Sequence, residues 1–307
     1  MTEPRVEGVC PVVATPFTAE GAVDYESFRR TLRHLIGAGV RSVMFPGFAS
    51  EFYKLTDAER DSLVTVLIDE TRDAPAPVTA VISIPDHATS VAVDRARRAV
   101  EAGADLVNLL PPSAHGPSSA QVRQHLHAVL TAIAPTPAIL QYAPAQTGVT
   151  LDPSTIAAIA EADPNLVQVK VESTPPGQLI SALRAAAPLM TCVVGYAGLQ
   201  LIDGLRRGAV GVQPGSSFPE LYLLIWEGWS DGDLEAAEQL HTRLLPYLSY
   251  WMQSVELIIA AEKEISYRRG IISTPVCRAP FRELDAEESR MIDRFFEEFG
   301  EHLPILG

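Results

Sequence analysis

A parallel (β/α)8 TIM barrel with a C-terminal helical appendage is the fold class this sequence predicts. Three observations carry it. Eight short apolar, β-branched runs alternate with eight amphipathic helical patterns, and the connections between them are short. The turn after the first run, Thr15-Pro-Phe-Thr-Ala-Glu-Gly21, lacks the GxGxxG phosphate loop usual in an open doubly wound sheet. After about residue 226 the alternation stops. The expected organisation is therefore a barrel over 1–226 and a helical region over 227–307, with no low-complexity linker between them.

Along the chain, strands are expected at 8–15, 42–46, 78–84, 106–110, 138–142, 166–171, 191–195 and 211–214. The first helix, 25–36, follows a cap at Asp24. The second, 57–70, follows Thr56, with Glu59 placed as in a capping box. Helices are next expected at 88–102, 119–134, 153–162, 177–187, 199–207 and 219–226. Three more, at 233–248, 251–269 and 285–299, have no strands between them. Tyr222, Trp226, Trp229, Tyr247, Tyr250 and Trp251 are expected to pack this appendage or to form a subunit interface.

Composition narrows the function classes. The chain has 307 residues, 47% hydrophobic, enough to bury a large core. Its net charge of −14 argues against nucleic acid and anionic membrane, because phosphate binding needs a basic face. No apolar run approaches the ~18 residues of a membrane span. The N-terminal residues lack a basic stretch followed by an apolar core, so no export signal is expected and the location reads as cytoplasmic. Cys10, Cys192 and Cys277 are scattered without metal-ligand spacing. They read as reduced core thiols, and no metal site is expected.

The chemistry-bearing candidate is Lys170, in the run Asn165-Leu-Val-Gln-Val-Lys-Val-Glu-Ser173. It is one of only three lysines, with Lys54 and Lys263. An ammonium among apolar side chains loses its hydration, burial favours the neutral amine, and a neutral amine is a nucleophile. Arginine cannot form an imine. The alternative is a strand-end lysine whose stem packs while its head reaches water. In a barrel of this kind chemistry belongs at the C-terminal ends of the strands. Those ends also carry Thr15, Ser50, Ser83, His115, Gln141, Tyr142, Gly195 and Ser216.

Five sets of residues occur in a familiar order: Thr15-Pro-Phe17, Gly47-Phe-Ala-Ser-Glu51, Gly103-Ala-Asp105, Val169-Lys-Val-Glu172, and a tail with Ala261-Glu-Lys263, Gly270-Ile-Ile272 and Arg278-Ala-Pro280. With them the chain resembles the dihydrodipicolinate synthase / N-acetylneuraminate lyase superfamily over nearly its whole length. The resemblance implies an eight-stranded barrel with C-terminal helices, and Schiff-base lyase or dehydratase chemistry on a 2-oxo acid. It also implies no metal or organic cofactor, and a homo-oligomer, commonly a tetramer. It makes Lys170 the imine-forming residue.

Departures from the pattern are informative. Phe48 and Ala49 stand where the family has a Thr/Ser pair that cradles the substrate carboxylate, and neither side chain donates a hydrogen bond. Ser50 is expected to substitute in part. Gln141 stands in place of the proton-relay tyrosine, with Tyr142 one position on and therefore facing the other side of the strand. Gln146 replaces the synthases' arginine, and Pro112-Ser-Ala-His115 lacks the usual tyrosine pair. Ser50-Glu-Phe52, Pro111-Pro112 with His115-Gly116, and Gln141-Tyr-Ala-Pro144 are instead similar to the 2-keto-3-deoxy sugar-acid dehydratase branch.

These readings give a working site. Lys170 forms the imine. Proton transfer falls to His115, Tyr142 or Glu172, and Gln141 orients a hydroxyl or a water. Glu172 as a salt-bridged loop carboxylate and His115 as an ordinary exposed histidine are the plainer alternatives. Substrate-binding candidates are Thr15, Phe48, Ala49, Ser50, Gln146, Gly195, Val212 and Ser216. Glycine at Gly195 permits close approach of a ligand to the backbone, with turn geometry as the open alternative. The leading function is a lyase, dehydratase or aldolase, on a short 2-oxo acid. Pyruvate–aldehyde condensation and a catalytically silent metabolite-binding barrel are the alternatives.

Overall fold

The computed structural model describes residues 4–306. Its strands are β1 (Gly8–Val9), β2 (Ser42–Phe45), β3 (Thr79–Ile84), β4 (Leu106–Leu109), β5 (Ala138–Tyr142), β6 (Leu166–Val171), β7 (Thr191–Val194) and β8 (Gly211–Val212). They form one eight-stranded parallel sheet in the order β1-β8-β7-β6-β5-β4-β3-β2, the (β/α)8 barrel that the alternation predicts. The helices are α1 (Tyr25–Gly37), α2 (Asp57–Arg72), α3 (Thr89–Ala102), α4 (Ser119–Ile133), α5 (Pro144–Thr147), α6 (Pro153–Ala162), α7 (Pro176–Ala186), α8 (Leu201–Arg206), α9 (Pro219–Asp231), α10 (Leu234–Trp251), α11 (Val255–Arg268) and α12 (Ala286–Phe299).

Local sequence explains most boundaries. Asp24 accepts the Ser27 N–H to start α1, and Thr56 and Glu59 form the expected capping box on α2. Strand β1 is far shorter than 8–15. Pro11 has no N–H to give a ladder, and beyond it only Val12 pairs, in isolated bridges to Met44 and Gly215. Helix α9 runs past 226 to Asp231 and stops at Gly232, whose φ of 85° suits glycine. The helix expected at 251–269 begins later, because Ser254 caps α11 by accepting the Leu257 N–H. Among the described residues no helix is long and apolar enough to cross a membrane.

The chain divides into two compact units. One comprises the segment through Gly8 with Thr79–Gln213; the other comprises Val9–Val78 with Pro214 onward. In the first, β6 is buried along its whole length. Val167, Val169 and Val171 alternate with Gln168, Lys170 and Glu172, so the polar residues share one face of the strand. Gln168 is fully used: its amide accepts the Val6 N–H (3.0 Å) and donates to Val6 O (2.8 Å) and Thr191 Oγ1 (2.9 Å).

The second unit has an aromatic core in which Phe295 meets Phe218 at 5.1 Å and Trp251 at 5.3 Å between ring centroids. Tyr222 and Tyr247 are buried with them, whereas Trp226 and Trp229 are half-buried and Tyr250 is exposed. This unit also buries charge. Lys263 bonds Glu51 and lies 4.3 Å over the Phe17 ring, and Lys54 bonds Glu51 (3.0 Å) and Glu256 (2.9 Å). Glu262 accepts the Ser216 N–H at 3.1 Å. A Cβ on Gly215 would lie 1.8 Å from the Glu262 carboxylate, so glycine is required there for space.

Burial pushes the Glu262 carboxyl up to about 7, against the pull of the Ser216 N–H. The folded form therefore holds a proton that the unfolded chain releases above its ordinary value of 4.5, and this group's contribution to stability falls as pH rises from there to about 7. Relative to wild type, Glu262→Gln is expected to gain in Tm between about pH 5 and about pH 8. Thermal unfolding checks this, and a difference that does not change with pH would contradict it.

Candidate active site

Lys170 is only 4% exposed, so its head does not reach bulk water. Its Nζ lies 3.2 Å from Glu172 Oε1, and Glu172 is itself buried. Backbone pairing explains the contact. The Glu172 N–H donates to Tyr142 O at 2.9 Å, so the strand's period of two continues past β6 and Glu172 faces the same side as Lys170.

Gln141 is in register with Lys170 across β5 and β6, which puts the two side chains next to each other. Its Nε2 donates to Glu172 Oε2 at 2.8 Å, and its Oε1 accepts from Asn108 Nδ2 at 2.9 Å. Asn108, on β4, also donates to Ser83 Oγ on β3 at 2.8 Å. A hydrogen-bonded row thus runs Ser83–Asn108–Gln141–Glu172, and an ion pair joins its end to Lys170.

The segment after β7 completes the row. A Cβ on Gly195 would lie 2.1 Å from Glu172 Cγ. Its φ of −93° is open to any residue, so glycine is required to make room for the Glu172 side chain. The Tyr196 N–H reaches Glu172 Oε1 at 3.4 Å, and the Tyr196 hydroxyl exchanges hydrogen bonds with the Gln146 amide (2.8 and 3.0 Å). Burial raises the Tyr196 phenol above its ordinary value; the Gln146 bond opposes this and the Glu172 charge adds to it.

Other expected residues are placed differently. Tyr142 faces the opposite side of β5, where its hydroxyl accepts the Leu151 N–H at 3.2 Å, so it does not join the row. His115 is exposed in a left-handed turn (φ 62°), in a loop anchored where the Ser113 N–H donates to His87 Nδ1 at 3.0 Å. Val212 is a fully buried residue of β8 paired with Val194.

In the second unit the hydroxyls serve the backbone. Thr15 Oγ1 donates to Ser50 O at 2.6 Å. Ser50 Oγ donates to Val13 O at 2.6 Å while accepting the Gly47 N–H at 2.9 Å. Ser50 therefore holds the turn after β2. Ser216 Oγ accepts the Ala14 N–H at 3.2 Å. Phe48 and Ala49 are half-buried in the 3-10 turn after β2, with the Phe48 ring 5.7 Å from Phe52. A groove of about 720 Å³ in this unit is lined by Arg30, His34, Glu220 and Leu306, and by none of the candidate residues.

The sequence profile of the Dihydrodipicolinate synthetase family matches residues 5–298. The chain belongs to this family. The 4-hydroxy-tetrahydrodipicolinate synthase of Methanopyrus kandleri is 27% identical over 302 residues, 96% of this chain and 97% of that protein. The L-2-keto-3-deoxyarabonate dehydratase of Azospirillum brasilense is 28% identical over 290 residues, 92% of this chain and 90% of that one. The crystal structure of dihydrodipicolinate synthase from Rhodopseudomonas palustris superposes with a TM-score of 0.88 at 23% identity, covering 95% of this chain and 97% of that one. At that identity the likeness carries the fold. The family is one of lyases, and this chain is a member of that enzyme class.

Sequence reasoning passed over Asn108 and Tyr196, and named Ser83 only as a strand end. Asn108 left a usable signal. It is a lone polar residue in Leu106-Val-Asn-Leu-Leu110, the same anomaly that exposed Lys170. Tyr196 follows a turn glycine and left none.

Gly195→Ala is expected to displace the Glu172 carboxylate from Lys170 while the barrel still folds. A crystal structure of the variant checks this, and an unmoved Glu172 within 3.5 Å of Lys170 would contradict it.

Proposed function

We propose that this protein is a Schiff-base lyase. Lys170 Nζ attacks C2 of a short 2-oxo acid, Glu172 carries protons, and the leading reaction is dehydration of a 2-keto-3-deoxy sugar acid. The observation that carries the reading is the buried Lys170–Glu172 contact, with Gln141 in place of the tyrosine of the wider superfamily pattern.

The carboxylate is placed to take the ammonium proton and free the nitrogen lone pair. A C–N bond forms at C2, and the carbonyl oxygen leaves as water, taking one proton from the amine and the one held by Glu172, which is a carboxylate again. The resulting protonated imine draws electrons from the C3–H bond while Glu172 accepts that proton, giving an enamine. The enamine expels the C4 hydroxyl, which leaves as water on gaining a proton. Hydrolysis of the imine then returns Lys170. His115 is exposed and Tyr142 is bonded to Leu151, so Glu172 is the better-placed proton carrier. Gln141 donates a hydrogen bond to Glu172 and transfers no proton at neutral pH.

Dehydration is preferred over condensation because Gln146 carries no charge, and because an arabonate dehydratase is among the similar proteins. The three cysteines are buried and form no disulfide, which suits a reducing cytoplasm. A homo-oligomer is the expected assembly.

With a 2-keto-3-deoxypentonate, the enzyme is expected to release water and keep the carbon skeleton whole. Lys170→Ala should reduce turnover to background. Glu172→Gln should lower kcat by about 10²–10⁴ while KM changes only a few-fold. Product analysis by mass decides: pyruvate release would replace dehydration by retro-aldol cleavage, and full activity in Glu172→Gln would remove Glu172 from the reaction.

A further inference from the structure

Asn108 is fully buried on β4, and its amide is used unevenly. Its Nδ2 donates twice, to Ser83 Oγ and to Gln141 Oε1, at 2.8 and 2.9 Å. Its Oδ1 has no hydrogen-bond partner among the described residues. A buried acceptor left without a partner keeps its full desolvation penalty, so this orientation needs a compensating reason.

The reason lies two residues along the row. A primary amide offers two hydrogens on one side and one oxygen on the other. While Asn108 presents N–H to Gln141, Gln141 must answer with its oxygen, and its own N–H groups then turn to Glu172. If Asn108 were reversed, Gln141 Oε1 would face Glu172 Oε2 at about 2.8 Å. Two acceptors at that distance repel unless the carboxyl carries a proton. The direction of the Asn108 amide and the charge of Glu172 are therefore coupled through Gln141.

We infer that Asn108 is a positioning residue: it fixes the direction of the Gln141 amide, and so holds Glu172 as a hydrogen-bond-accepting carboxylate facing Lys170. This deepens the function proposed above, since it explains how Glu172 is kept ready to accept a proton. Asn108 acts through Gln141, and among the described residues no hydrogen bond joins it to Lys170. The titratable groups facing Glu172 are Lys170 from its own strand and Tyr196 from the segment after β7.

The test follows the protonation of the Glu172 carboxyl itself, by infrared difference spectra against Glu172→Gln across pH. It therefore does not depend on any substrate. Asn108→Asp, once ionised, replaces the donor facing Gln141 by an acceptor, and should move the midpoint upward. Asn108→Leu removes the donor without adding charge, and should move it in the same direction by less. In a Gln141→Leu background, Asn108→Asp should have less than half its effect, because the connecting amide is gone. Thermal unfolding confirms that each variant folds, and Asn108→Ser replaces Asn108→Leu if that one does not. Wild-type midpoints in all variants would overturn the proposal. So would an equal shift from Asn108→Asp with and without Gln141, which would mean direct charge repulsion alone. Trapping of pyruvate by borohydride in the wild type tests the imine reading separately: its absence would remove the lyase reaction while leaving the Asn108 result standing.

Discussion

The contact between Lys170 and Glu172 is the constraint around which the first unit is built. Both groups are buried and 3.2 Å apart. A charged pair away from water gives weak net stabilisation at best, and removing one partner typically costs about 3–5 kcal/mol. The neighbourhood supplies what the pair needs. Gln141 and the Tyr196 N–H bond the carboxylate, Gly195 leaves space for its stem, and the valines of β6 fill the opposite face. Gln141 and the valines are placed by strand register, and Gly195 and Tyr196 by the turn that directly follows β7.

The basic residues of this chain divide by chemistry. Each of the three lysines sits against a glutamate: the buried Lys170 on Glu172, and the half-buried Lys54 and the buried Lys263 on Glu51. The remaining basic side chains are arginines, including the fully buried Arg269, which bonds Glu220. Arginine stays charged under any condition a protein meets, whereas a buried lysine can give up its proton. Burial pushes the Lys263 ammonium below its ordinary value, and Glu51 pulls it back up. Lys263 is held by Glu51, by the Val276 carbonyl at 3.0 Å and by the Phe17 ring. Those contacts give it a structural task.

Much of this was legible in the sequence because it depends on periodicity. The barrel strands and the caps on α1 and α2 follow from apolar alternation and from short polar side chains at helix starts. Lys170 stood out as a charge in an apolar run, and Glu172 followed from a period of two. Spacing gives no information about what a side chain meets across the sheet. Gly195 is a glycine because Glu172 fills its Cβ position, and Ser50 is committed to Val13 and Gly47. Both facts depend on neighbours distant in sequence. Strand β1 was overextended because a run of valines outweighed Pro11, whose missing N–H interrupts pairing.

Lys170, alone among the chain's three lysines, is proposed to capture a 2-oxo acid. Reduction with borohydride in the presence of pyruvate, followed by proteolysis and peptide mass mapping, separates the three directly. The account predicts a single adduct on the peptide bearing Lys170, lost in Lys170→Ala. An adduct on Lys54 or Lys263, or one that persists without Lys170, would contradict it.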